Sequence, residues 1–486
     1  MHVRSLSVIA LALPAFGLAA AETTTVDPAT SVLSEYTNAA APDPHPPPYT
    51  LLRFNERYDS LADPLNRSDF FDPAKYIALS PSDPHRYLSF GGELRERYER
   101  FDNAGFGTGD GPDDPAYLLQ RIALHADLHV DQRLRVFVQG LSALQFGDRD
   151  RASPINQNPL DLQQAFVDCT WGNPAPDGPK VIARAGRFSM NYGSARLIAT
   201  RAAPNVPYKF DGVQIIAAQG TARLYAFLVR PGQESRHQFD GENDGQSLWG
   251  VYGSVPTRLK LPATIDVYYL GAHYDTRRYI RGSAAEDRHS IGTRLSGTAG
   301  GWSYDWEPVV QFGTFGNRDI RAWTIATDTG YSFRSLPWKP RLGLKADYAS
   351  GDTRGPEGRY GGFNPLYFKS GYFNDASLIR PTNIADLHPS LQLVPTRALT
   401  ATLAADLLWR ATTRDGVYGP AGNIELRPVP GASRYIGNTA EAALSWKAGR
   451  HWVWTASYVH LFASDYVRAA GGGDVDFLGS WATYTW

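Results

Sequence analysis

From Tyr87 to its last residue the chain alternates between apolar and polar positions. In "YLSFGGELRERYERF" Leu88, Phe90, Leu94 and Tyr98 fall on one face of an extended chain, and Glu93, Arg95, Arg97 and Glu99 fall on the other. "LLQRIALHADLHV" repeats the pattern, with Leu118, Ile122, Leu124, Ala126 and Leu128 set against Arg121, His125, Asp127 and His129. So do "RLRVFVQG", "GWSYDWEPVVQF" and "PRLGLKADY". A period of two marks strands with one apolar and one polar face. Eighteen such segments follow one another. The last, "FLGSWATYTW", runs to Trp486. A chain end frays unless something ties it down, and pairing with the first strand would do so.

The connections carry a second pattern. After even-numbered strands they are mostly short, as at Asp131-Gln132, Gly220-Thr221 and 299–301. After odd-numbered strands they are mostly long, with a short link near Asn317 as the exception. A soluble β-sandwich also alternates, but its strands run to ~5–6 residues and its connections do not sort in this way. A bacterial barrel in lipid requires an even strand number, strands of ~10 residues, short periplasmic turns and long outer loops. Hydrocarbon offers no partner for an open edge, so the sheet must close. The chain therefore reads as all-β: an eighteen-stranded antiparallel transmembrane β-barrel over 87–486. Both termini would lie in the periplasm, with Trp486 anchoring the closing strand. Tyr98, Trp171, Trp302 and Trp446 would supply the aromatic girdles.

The opening stretch is different. Arg4, a mostly apolar run and Ala19-Ala20-Ala21 form a secretory signal peptide over 1–21, which sends the chain to the outer membrane of a Gram-negative cell. Residues 22–86 read as a Pro-rich periplasmic extension, too short and polar to be a folded plug. Its last part carries Phe70, Phe71, Tyr76 and Leu79, and is expected to pack against or into the barrel mouth.

Composition removes several functions. A net charge of −1 argues against a nucleic-acid binder. A single cysteine, Cys169, leaves no internal disulfide, and it falls on the lipid face of the fourth strand. With no C-x-x-C, H-E-x-x-H or G-x-S-x-G motif, the reading is of a non-enzyme with no cofactor and no metal. His125, Asp127 and His129 fall on one face of the second strand, each ~6.6 Å or more from the next, and read as polar lumen residues. The polar face carries the chemistry, because a watery lumen tolerates ions that lipid does not. That face holds Arg95, Arg97, Arg121, Arg135 and Arg187 in the first five strands, then Arg294, Arg341 and Lys345. Asp168, Asp305, Glu307, Asp347 and Asp406 read as opposing acids across the channel. Guanidinium fits a carboxylate in a fork, so the basic set reads as a track for anions. Arg196 and Arg201, in the connection 190–207, are placed to fold inward as a constriction.

Several stretches resemble the alginate-export family of outer-membrane porins: "FFDPAKYIAL", "GGELRERYERFDN", "YLLQRIALHADLHV", "LDLQQAFVD", "ARAGRFSMNYGSARL" and "KFDGVQ". The resemblance is densest over 70–215 and implies an eighteen-stranded porin that exports an anionic polysaccharide or uronate such as alginate. Gln163 and Ser189 align with positions at which the alginate exporter carries arginine, which implies a substrate that can differ from alginate. The alternative is a general or nutrient-specific porin for small anions; a barrel enzyme is a third reading. The expected partners are the anionic saccharide, outer-membrane lipid, the barrel-assembly machinery and a periplasmic export partner, with the chain itself a monomer.

Overall fold

The structure is a computed structural model that describes residues 48–109, 114–147, 152–173, 177–258, 262–353 and 358–486. Residues 1–21, read as the signal peptide, and residues 22–47 of the Pro-rich extension lie outside them. Eighteen long strands follow in order: β1 (Tyr87–Asp102), β2 (Ala116–His129), β3 (Leu134–Phe146), β4 (Asn158–Gly172), β5 (Lys180–Phe188), β6 (Phe210–Gln219), β7 (Ala222–Gln233), β8 (Gln246–Arg258) and β9 (Pro262–Tyr279). They continue with β10 (Gly282–Ala299), β11 (Trp302–Phe315), β12 (Arg318–Ser332), β13 (Arg341–Ala349), β14 (Ile384–Thr396), β15 (Leu399–Arg410), β16 (Tyr435–Ala448), β17 (Trp452–Ala463) and β18 (Val475–Thr485).

Each long strand pairs antiparallel with its neighbours in sequence, and β18 returns to β1 in register from Glu93↔Thr485 to Asp102↔Asp476. The barrel is closed, which satisfies the backbone that lipid would leave unpaired. Trp486 extends the seam: its amide and carbonyl exchange hydrogen bonds with Gly92 at 3.0 and 2.9 Å. Gly92 is needed there because a Cβ would lie 2.5 Å from the Trp486 ring. Leu124, Val213, Val267, Ile291 and Val310 point outward and stay exposed, as a lipid face requires. Tyr98, Trp171, Trp302 and Trp446 are exposed on the same side. Cys169 shares the outward set of β4 with Val167 and Trp171 and is free.

One loop-side connection is shorter than the pattern predicts. β9 and β10 are joined through Ile280-Arg281 alone. Both strands have 18 residues, so the length expected in a loop is carried by a projecting hairpin.

Ahead of the barrel, residues 48–86 make short 3-10 turns, a four-residue helix at Asp72–Lys75 and a two-residue strand at Ile77–Ala78 that pairs with Tyr87–Leu88. This segment enters the mouth. Arg53 donates to the carbonyls of Gly92 and Trp486, each at 2.9 Å, and so clasps both sides of the seam. Phe54 packs edge-on against Phe137 and Phe166. Asp69 meets His451 at 2.7 Å in the turn before β17.

Candidate functional site

Two connections fold back into the lumen. The first, 189–209 between β5 and β6, is almost wholly buried from Ser189 to Thr200. The second, between β13 and β14, is buried from Gly362 to Phe368. Apolar side chains explain why they stay inside: Leu197, Ile198, Phe363, Leu366 and Phe368 join the main hydrophobic cluster within the barrel. The loops pair with each other in parallel at Ile198↔Tyr367. The Ala199 amide donates to Tyr367 O at 2.8 Å, and the Lys369 amide donates to Ala195 O at 2.9 Å. Together they form a shelf across the pore.

The wall arginines hold that shelf. Arg95 donates to the carbonyls of Ala202 and Pro204 at 2.8 and 3.0 Å. Arg121 reaches the same two carbonyls and pairs with Glu93 on the adjacent strand at 2.6 Å. Gln163 and Ser189 donate to the backbone of Pro207 and Tyr208. Arg97 pairs with Glu99 and lies over the Trp481 ring. Arg135 forks onto Asp127 at 2.6 and 2.7 Å.

The acids do not face these arginines across the channel. Asp168 and Asp305 pair sideways, strand to next strand. Arg294 on β10 bridges Asp266 on β9 and Asp305 on β11 at 2.8 and 2.7 Å. Arg341 on β13 reaches Asp328 on β12 at 3.4 Å. Asp168 on β4 is held by Arg184 on β5 at 2.8 Å. Lateral pairing wins because neighbouring strands are ≈ 4.7–4.9 Å apart, within side-chain reach, while the lumen is far wider.

Arg187 is a correction. It lies beside Asp211 in the outward set that contains Val181 and Val213, and it forks onto that carboxylate at 2.8 Å. In "VIARAGRF" the lumen position belongs to Arg184, three residues earlier and of opposite parity. Arg184 is buried between the rings of Phe54 and Phe166, 4.2 and 4.0 Å away.

The shelf carries its own charges. Arg196 pairs with Asp305 and Glu307 at 2.9 and 3.0 Å. Arg201 pairs with Glu234 and lies over Tyr208. Glu307 also accepts from Tyr268 at 2.6 Å and Ser194 at 2.9 Å. Two cations beside the shelf differ from Arg196 and Arg201: among the described residues, Lys345 on β13 and Lys369 on the second loop have no ion pair. Burial, with Lys345 and Arg196 beside it, pushes the Lys369 amine down to about 8. Nearby, Asp347 accepts from Tyr372 at 2.7 Å. Asp406 is fully buried; neither oxygen has a hydrogen-bond donor among the described residues, and His388 Nδ1 lies 3.6 Å from one of them. Lys369 was missed from sequence because nothing in a loop's pattern tells that it turns inward.

The profile of the alginate export family matches residues 86–480. The chain belongs to that family. Its fold is also that of solved outer-membrane porins. A BenF-like porin from Pseudomonas fluorescens Pf-5 superposes with a TM-score of 0.55 at 10% identity, over 82% of this chain and 98% of that one. Pseudomonas aeruginosa OccK9 (OpdG) gives 0.56 at 11%, over 82% and 98%. OccK2 (OpdF) from the same species, solved in complex with glucuronate, gives 0.52 at 12%, over 82% and 97%. No curated protein matches the sequence. This alginate-export-family barrel thus has the architecture of an outer-membrane channel.

Proposed function

We propose that this outer-membrane channel passes small carboxylated sugars, with uronates as the substrate class. The observation that supports this most directly is the shelf. Two loops fill the middle of the lumen, and two half-buried cations that make no ion pair among the described residues, Lys345 and Lys369, stand beside it. Buried, partly dehydrated cations attract anions more strongly than exposed ones. Of the basic residues predicted from sequence, Arg95, Arg97, Arg121, Arg135, Arg294 and Arg341 line the wall as scaffold, and Lys345 serves the substrate. Arg196 and Arg201 shape the constriction. Residues 48–86 form a periplasmic strap across the mouth, not a second domain.

Passage of a polyuronate chain is the second reading, favoured by the family match over 86–480. Planar-bilayer recordings of the purified protein separate the two. The expected result is anion-selective conductance, interrupted by glucuronate and not by glucose. Interruption by long polyuronate alone supports the chain exporter, and cation selectivity overturns both.

A further inference from the structure

The outer end of the lumen holds two guanidinium groups with no carboxylate between them among the described residues. Arg277 lies near the tip of β9, past a bulge that follows Tyr274. Arg380 ends the second inner loop and is 3% exposed. They converge under the turn at 419–423. A Cβ on Gly422 would collide with Arg380 Nη1 and lie 3.1 Å from Arg277 Nη2. Gly422 has a φ of +86° and is half-buried, while Ala421 and Asn423 beside it are exposed, so the point lies close to solvent.

Several other buried arginines have an acid: Arg53 has Glu56, Arg184 has Asp168, Arg288 has Glu286 and Arg294 has Asp266, while Arg95 and Arg410 donate to backbone carbonyls. Among the described residues neither Arg277 nor Arg380 makes an ion pair. Arg380 donates through Nη2 to Asn364 Oδ1 at 2.8 Å, and its Nε is buried without an acceptor. Arg277 lies over the Tyr274 ring at 5.0 Å. The carboxylate of Glu286 is already engaged, by Arg288 and Asn364 on one oxygen and Tyr279 on the other. Glu425 accepts from Asn423 at 2.6 Å. Burial, then the charge of Arg277, lowers the Arg380 pKa to about 10, as expected for a cation lacking its counter-ion.

We propose that Arg277 and Arg380 form a binding site for a carboxylate at the outer mouth, covered by the Gly422 turn. The guanidinium forks supply the planar donors a carboxylate needs, and their mutual repulsion is relieved when one binds. The site deepens the channel reading, since it would concentrate sugar acids above the shelf.

The test uses the full protein in planar bilayers, with glucuronate, inorganic phosphate or glucose added on the loop side. Glucuronate should interrupt the wild-type current at least tenfold more tightly than it does in Arg277→Gln/Arg380→Gln, and glucose should do nothing. Gly422→Asp tests the same point from an outer turn, without removing a buried side chain. It places a carboxylate between the guanidinium groups and should abolish interruption as fully as the double variant. Phosphate equal to glucuronate would overturn carboxylate preference. Unchanged glucuronate affinity in both variants would overturn the site, even if anion selectivity upholds the channel. A tenfold loss in a pore without anion selectivity would keep the site and remove the channel reading.

Discussion

The two sides of the lumen use charge differently. On β1–β5, Arg97, Arg121, Arg135 and Arg184 each meet a carboxylate of the wall, and Arg95 meets loop carbonyls. On β13–β15, Lys345 has no ion pair among the described residues, and Asp386 and Asp406 have buried oxygens without donors. The first wall is richer in arginine, yet its charge is neutralised where it stands. The second holds fewer cations and leaves them available. Charge content therefore does not mark the proposed substrate path; unpaired charge does.

The largest effect that can break this comparison comes from the paired wall. Arg184→Met leaves Asp168, 5% exposed, with only Arg135 at 3.9 Å. Removing one partner of a buried pair typically costs about 3–5 kcal/mol, and the rings of Phe54 and Phe166 lose their cation as well. Urea unfolding in lipid vesicles should show a loss of that order, with anion selectivity retained in the folded fraction. A stable variant with altered selectivity would make this wall a substrate path after all.

The unpaired wall should behave in the opposite way. Lys345→Glu reverses a charge that no direct ion pair holds; it faces Asp386, Asp406 and Glu441 at longer range, so the stability loss should stay below that of Arg184→Met. At an effective dielectric of about 20, a unit charge about 8 Å from a passing anion is worth about 2 kcal/mol before salt screening. Anion-to-cation permeability should fall about tenfold at low salt and less in molar KCl, measured by reversal potential. Arg187→Glu is the control. Its outward register predicts an unchanged reversal potential, and a shift would contradict the assigned parity.

The strand count, the closure at Trp486 and the aromatic girdles were legible because each leaves a mark in the period-two pattern. The side of Arg187 was not, since "VIARAGRF" places an arginine on each face. Only the register with Asp168 and Asp211 on the flanking strands decides between them. Sideways pairing was hidden for a related reason: alternation gives the face of a residue, not its neighbour across the sheet. The shelf left a fainter trace. Leu197-Ile198-Ala199 is an apolar run inside the connection placed to fold inward, and such a run calls for a covered environment.

The smallest effect lies at the mouth, where the strap leans on the paired wall. Lys75 is fully buried, its Nζ has no hydrogen-bond partner among the described residues, and it lies 5.3 Å from the rings of Tyr49 and Tyr58. Arg53, Glu56, Asp69, His125 and Arg450 surround it. Burial, then Arg53, pushes its pKa down to about 7 from 10.5. An undocked strap would keep the higher value and so bind more protons between about pH 7 and 10.5. Docking therefore gains stability as pH rises through that window and loses it as pH falls, by at most about 1.4 kcal/mol per pH unit. Hydrogen exchange of residues 71–78, corrected for the intrinsic rate, should show weaker protection at pH 7 than at pH 9. Lys75→Met removes the titrating group, so its protection should hardly vary over that range. If the variant keeps the wild-type slope, another group drives it, and the strap is not held by a neutral lysine.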